Sequence, residues 1–202
     1  MNTMSTEIRK YQLKARAESQ RETRDRIARV AAELHEEKGV AQTTVAEIAR
    51  RAEVTRLTVY NHFPQLSDLI PACSAHYMGL HPFPDFDGGL APGDPGERVR
   101  AALARVYGWY REVEPMFGKL YSDRASVPEL DQYMERDFDP LLAELAGTLG
   151  ASFGARGRRA KRLTALTRLS LDFWTWRRLR DEGFDDEAAA DLMAGAVAAG
   201  NA

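Results

Sequence analysis

A single cysteine among 202 residues leaves Cys73 with no partner inside the chain. An intrachain disulfide is therefore excluded, and a reducing compartment is expected, with Cys73 as a buried small hydrophobe. No apolar run is long enough to span a bilayer. The first 26 residues hold Arg9, Lys10, Lys14, Arg16, Arg21, Arg24 and Arg26 without an apolar stretch, which is not the pattern of a secretory signal. The four histidines (His35, His62, His76 and His81) are scattered, and no Cys/His metal spacing, G-x-S-x-G or phosphate loop occurs. These gaps predict a cytoplasmic protein that is not an enzyme and has no metal, cofactor or membrane partner. No strand pattern or fixed repeat appears either, leaving an all-α reading.

The chain has charge of neither sign in excess, with a net of −2, yet the balance is uneven. Residues 1–76 hold 12 Lys and Arg against 10 Asp and Glu, whereas residues 77–202 hold 16 against 20. The direction suits an N-terminal part that approaches phosphates. With hydrophobic residues at 44%, enough apolar surface is present for one or two packed domains.

Residues 1–19 are basic and weakly periodic, and read as an N-terminal extension: a solvated helical tail or an arm lying along a nucleic-acid groove. Ile27, Val30, Ala31 and Leu34 then form one helical stripe that Gly39 ends. Thr44-Val45-Ala46-Glu47 has the form of a capping box, opening a helix with Val45, Ile48, Ala49 and Ala52 on one side. Glu53-Val54 is a turn, Thr55 caps the next short helix, and Phe63-Pro64 closes it. A further helix starts at Gln65 or Ser67 and runs to about Gly79, with Pro71 near its first turn. Residues 81–96 contain four prolines and four glycines and read as a loop between two halves. Beyond it, helices are predicted at about 97–113, 116–124, 128–150, 156–183 and 185–200, with Pro115 as a break and Pro140 as a kink.

Residues 39–69 thus describe two short helices joined by a tight turn. Such a unit needs an apolar patch between its helices so that the second can enter a DNA major groove. Ile48, Ala49, Val54, Val59 and Phe63 supply the patch. Arg56, Thr58, Asn61 and His62 are left on the outer face, with Tyr60 at its edge. Arg56 is suited to a bidentate grip on guanine or to a phosphate. Thr58, Tyr60 and His62 suit phosphate oxygens and thymine methyls, and the helix starts at Thr44 and Thr55 offer backbone amides to phosphate.

Gly39, Thr43-Thr44, Ile48-Ala49, Ala52, Val54, Tyr60, His62-Phe63-Pro64 and Leu69 together resemble the DNA-binding domain of TetR-family transcriptional regulators. The resemblance covers about 60 residues, from near Gln20 to near Leu80. It implies DNA contacts at Thr44, Arg56, Thr58, Tyr60 and His62; Thr55, Leu57 and Asn61 complete the predicted set. It also implies an all-α homodimer, paired through its last long helices, with a C-terminal small-molecule cavity. Three positions depart from the family pattern. Glu53 replaces a turn glycine, which strains the turn if its φ is positive. Leu57 replaces a small residue or proline and is placed to meet a thymine methyl. Leu66 stands where a phosphate-binding lysine is common.

The expected organisation is a basic extension at 1–19, a helix-turn-helix domain at 20–80, and a helical effector-binding and dimerisation domain at 97–202. No motif identifies the last part. Its aromatics can form core or line an apolar pocket, and Trp109, Phe117, Tyr121, Tyr133 and Trp174 are the candidate ligand contacts. Asp172 is read within one long helix, paired with Arg168 or anchoring a ligand's polar group. The alanine-rich segment 185–200, with Leu166, Leu169, Phe173, Leu192, Met193 and Val197, forms either a dimer face or a helix buried in its own protomer. The leading expectation is a repressor released from a double-stranded DNA operator by a small hydrophobic or amphipathic effector. The alternative is a DNA-binding dimer without an effector, constitutive or controlled by a partner.

Overall fold

A computed structural model of the chain describes residues 3–86 and 93–201, with side chains from residue 11 onward. The described residues are helical, with no strand among them, so the fold is all-α as the periodicity implies. Ten α-helices follow one another: α1 (Thr3–Lys38), α2 (Val45–Arg51), α3 (Arg56–His62), α4 (Leu66–Leu80), α5 (Pro95–Asp123), α6 (Pro128–Tyr133), α7 (Asp139–Ala151), α8 (Gly157–Ser170), α9 (Phe173–Asp181) and α10 (Asp186–Ala199). A π-helical turn, Met134–Phe138, lies between α6 and α7. None of the described helices is long and apolar enough to cross a membrane.

The chain forms two compact units: residues 1–80 with 118–131, and residues 81–117 with 132–202. In the first, α1 packs on α2 and α4, and α2 on α3. Ile27, Val30, Ala31 and Leu34 of α1 are buried with Ile48, Ala49, Val59, Phe63, Leu69, Ile70 and Cys73. The stripe at Ile27 marks where α1 becomes buried rather than where it begins. The helix runs unbroken from Thr3, and residues 11–22 are exposed around its circumference.

In the second unit α7 packs on α8, and α8 on α10. Trp176, Tyr107, Tyr110, Phe173, Leu103, Leu149 and Leu163 are fully buried there. Three expectations are corrected in the C-terminal half. Pro115 does not break the chain: α5 continues through it because Val113, Met116 and Phe117 on either side are buried and hold the helix. The helix expected over 128–150 is divided by the π-helical turn that precedes Pro140, whose missing N–H cannot complete the regular ladder. The long helix expected over 156–183 ends at Ser170. There the Tyr107 hydroxyl donates to the Ser170 carbonyl at 2.6 Å and the Tyr110 hydroxyl to the Leu171 carbonyl at 2.7 Å. Asp172 then starts α9 by accepting the Thr175 amide at 2.9 Å. Asp172 is thus a helix N-cap and not a mid-helix partner of Arg168. The loop at 81–96 is non-helical over 81–86 and 93–94, α5 beginning at Pro95, while 87–92 fall outside the described residues.

Candidate nucleic-acid interface

The geometry of the helix-turn-helix is fixed by short-range bonds. Thr44 and Glu47 form a complete capping box: the Glu47 amide donates to the Thr44 hydroxyl at 3.3 Å, and the Thr44 amide to the Glu47 carboxylate at 3.2 Å. Lys38 at the end of α1 donates to the other Glu47 oxygen at 2.5 Å. That bond, with those from Thr44, holds the Glu47 carboxyl down at about 2. The turn into α3 passes through Glu53 at φ 54°, the left-handed conformation that a glycine would adopt without strain. Thr55 caps α3 through the Thr58 amide at 3.0 Å. The amides of Glu47 and Thr58 are thus taken by the caps, as the capping pattern predicts.

Val59 and Phe63 turn inward, and the rest of α3 faces outward. Arg56 and Asn61 are exposed, Leu57 is 69% exposed and Tyr60 51%. Leu57 and Tyr60 thus leave two large, mostly apolar side chains accessible on a seven-residue helix. Thr58 and His62 are half-buried, and Thr44 and Thr55 are exposed at the helix starts. Seven of the eight predicted DNA-contact residues thus lie in α3 or at its cap, and Thr44 caps α2. Leu66 is half-buried and lines a cavity of about 80 Å³ with Tyr60, Phe63 and Leu69, which shows why an apolar residue is tolerated where a lysine is common.

Three features escaped the sequence reading. Arg24 of α1 donates to the His62 carbonyl at 2.6 Å and lies 4.1 Å over the Phe63 ring, tying α1 to the end of α3. Gln20, Arg21 and Arg24 of α1 then line an open groove of about 460 Å³ with Thr58, Asn61 and His62 of α3. The third is Asp123, whose carboxylate accepts the Ala41 amide at 3.0 Å. It also fills the space over Gly39 (φ 88°), where a Cβ would stand 2.5 Å from a carboxylate oxygen. Nothing local announces a bond spanning 82 positions. Arg24 alone offered a signal, lying one helical turn before the first buried residue.

Behind this surface His35 is 2% exposed, its Nδ1 3.5 Å from the Cys73 sulfur. Burial pushes the imidazole down to about 4, with the Asp123 charge opposing in part. Burial pushes the Cys73 thiol up to about 12, so it is not a reactive thiolate at neutral pH.

Two of the predicted ligand contacts, Trp109 and Phe117, meet ring to ring. Trp109 and Phe117 are buried in an aromatic cluster with Phe83 and Phe138, ring centroids 4.9 to 6.2 Å apart. Tyr133 is half-buried at the end of α6, and Tyr121 belongs to the first unit. Trp174 is 47% exposed in the first turn of α9, beside Asp172.

The sequence profile of the bacterial regulatory proteins, tetR family, matches residues 27–73, the segment from the buried part of α1 to the middle of α4. Residues 27–73 are a TetR-family domain. Solved structures extend the likeness in fold to most of the chain. A TetR-like transcriptional regulator from Rhodococcus sp. RHA1 is 21% identical with a TM-score of 0.59, the match covering 88% of this chain and 94% of that one. NalD, the secondary repressor of the MexAB-OprM multidrug efflux pump in Pseudomonas aeruginosa, is 24% identical with a TM-score of 0.57, covering 90% and 96%. No protein of curated function matches the sequence. The fold is that of a TetR-family transcriptional regulator.

Proposed function

We propose that the protein is a dimeric, sequence-specific DNA-binding repressor whose α3 enters the major groove. The observation that carries this reading is the outer surface of α3, where Arg56, Leu57, Tyr60 and Asn61 are exposed on a helix locked at both ends by Thr55 and Arg24. A short helix so fixed delivers side chains to base edges with little loss of conformational entropy. Arg56 supplies the guanine grip, Leu57 and Tyr60 meet thymine methyls, and Thr44, Thr55, Thr58 and His62 serve phosphates.

Dimerisation is supported by Leu169 of α8 and Leu192 of α10, which are 53% and 47% exposed on helices that pack together. Phe173 and Val197, also candidates for that face, belong to the protomer's own core. Two-fold pairing sets the α3 helices about 34–36 Å apart, one turn of DNA. Release by a small hydrophobic or amphipathic effector follows if the effector prefers the conformation that does not fit DNA. Each tenfold loss of DNA affinity then needs about 1.4 kcal/mol of that preference. Repression by NalD is in keeping with this reading. An effector-free DNA-binding dimer is the second reading, favoured by the ring-on-ring packing of Trp109, Phe117 and Phe138.

Selection from a random duplex pool at physiological salt tests the proposal. Enrichment of a two-fold symmetric site with half-sites about one helical turn apart is expected. Recovery of unenriched pool would contradict it. A panel of amphipathic small molecules applied to the selected complex then separates the two readings by release or its absence.

A further inference from the structure

The exposed half of α1 carries a basic sector that turns toward α3. At about 100° per residue, Lys14, Arg21 and Arg24 fall on one side of the helix with Ala17 and Gln20, and Arg16 flanks them. Glu18, Glu22 and Asp25 fall in the adjoining sector, Glu18 one turn from Lys14 and Asp25 one turn from Arg21. The basic side is the one turned to α3, because Gln20, Arg21 and Arg24 line the groove shared with Thr58, Asn61 and His62. Of the other cations in the first unit, Arg29 pairs with Glu33, Arg51 with Glu33 and Glu37, and Lys38 with Glu47. Lys14, Arg16 and Arg21 have no hydrogen-bond or ion-pair partner among the described residues.

We infer that the exposed half of α1 is a second DNA-docking element, a rigid basic helix that follows the phosphate backbone outward from the groove read by α3. The inference rests on the DNA-binding reading of α3 and adds to it a partner surface on a different helix. Arg24 anchors the arm, its guanidinium already committed to the His62 carbonyl and the Phe63 ring. Arg21, Arg16 and Lys14 are free to meet phosphates. From Arg24 to Lys14 the helix advances about 15 Å, enough to meet a few successive phosphates of one strand. The 460 Å³ groove is open, and its walls are polar side chains of both helices, as the passage of a phosphodiester strand requires.

The test compares wild type with the triple variant Lys14→Gln, Arg16→Gln, Arg21→Gln, which keeps helix-forming residues on an exposed face. The duplex is one enriched by wild type from the random pool, synthesised with and without ten flanking base pairs on each side. Circular dichroism first confirms equal helix content. The triple variant is expected to retain the base preference, while its slope of log affinity against log salt becomes shallower by roughly 3 to 5 for a dimer, at about 0.9 for each phosphate that is no longer neutralised. Backbone protection in the flanks should disappear with it. The variant Glu18→Gln, Glu22→Gln should keep the flank protection. An unchanged slope and footprint in the basic-face variant, or an equal loss in the acidic-face variant, would overturn the inference while leaving α3 as the reader. Failure of wild type to enrich any sequence would instead remove the reading on which both rest.

Discussion

The two units are held in shape by different kinds of bond. In the helix-turn-helix each turn is set within three residues, by Thr44 with Glu47 and by Thr55 with Thr58. In the second unit the end of α8 is met by hydroxyls some 60 positions away, from Tyr107 and Tyr110, before Asp172 caps α9 locally. Local capping fixes both helix starts of the reading head from neighbouring residues. Long-range capping makes one boundary, the end of α8, that exists only once the core has formed.

Breaking the long-range caps should therefore do the most damage. The double variant Tyr107→Phe, Tyr110→Phe keeps the rings and strands two buried carbonyls, at a cost of about 4 kcal/mol in urea denaturation. A loss under about 1 kcal/mol would mean that α8 ends for local reasons. Next in size is the buried histidine. With its pKa lowered from 6.5 to about 4, His35 binds a proton more readily unfolded than folded. Stability is therefore full above pH 6.5 and falls through the window down to pH 4, by about 3 kcal/mol from this group. His35→Leu should flatten that part of the pH profile, whatever it does to stability at pH 7.5.

The local caps are smaller effects. Thr55→Ala should cost about 1 kcal/mol and weaken DNA binding by loosening the start of α3. Smallest, and opposite in sign, is Glu53→Gly, which relieves the left-handed backbone at φ 54° and should stabilise the protein by about 0.5–1 kcal/mol. A destabilised Glu53→Gly variant would show that the glutamate side chain compensates for its backbone.

The same contrast decides what could be read from the sequence. The caps at Thr44 and Thr55, the inward Val59 and Phe63 and the outward Arg56 and Asn61 are written in neighbouring residues, so they were legible. The strain at Glu53 was legible as a conditional, needing only the sign of φ. The boundary at Asp172 was not, because Leu171-Asp172-Phe173 continues a helical pattern until two tyrosine hydroxyls from α5 close α8. Pro115 misled in the reverse direction: a local breaker is overridden by the buried residues around it. Asp123 on the Ala41 amide and Arg24 on Phe63 join positions 82 and 39 residues apart, beyond the reach of any local pattern.

The central claim is that α3 reads bases, and its most direct test is Arg56→Ala measured on the enriched duplex and on unrelated DNA at one salt concentration. The account predicts a loss of about 1–3 kcal/mol on the enriched duplex, relaxed preference at one base pair, and little change on unrelated DNA. An equal loss on both would contradict it and reduce Arg56 to a phosphate clamp.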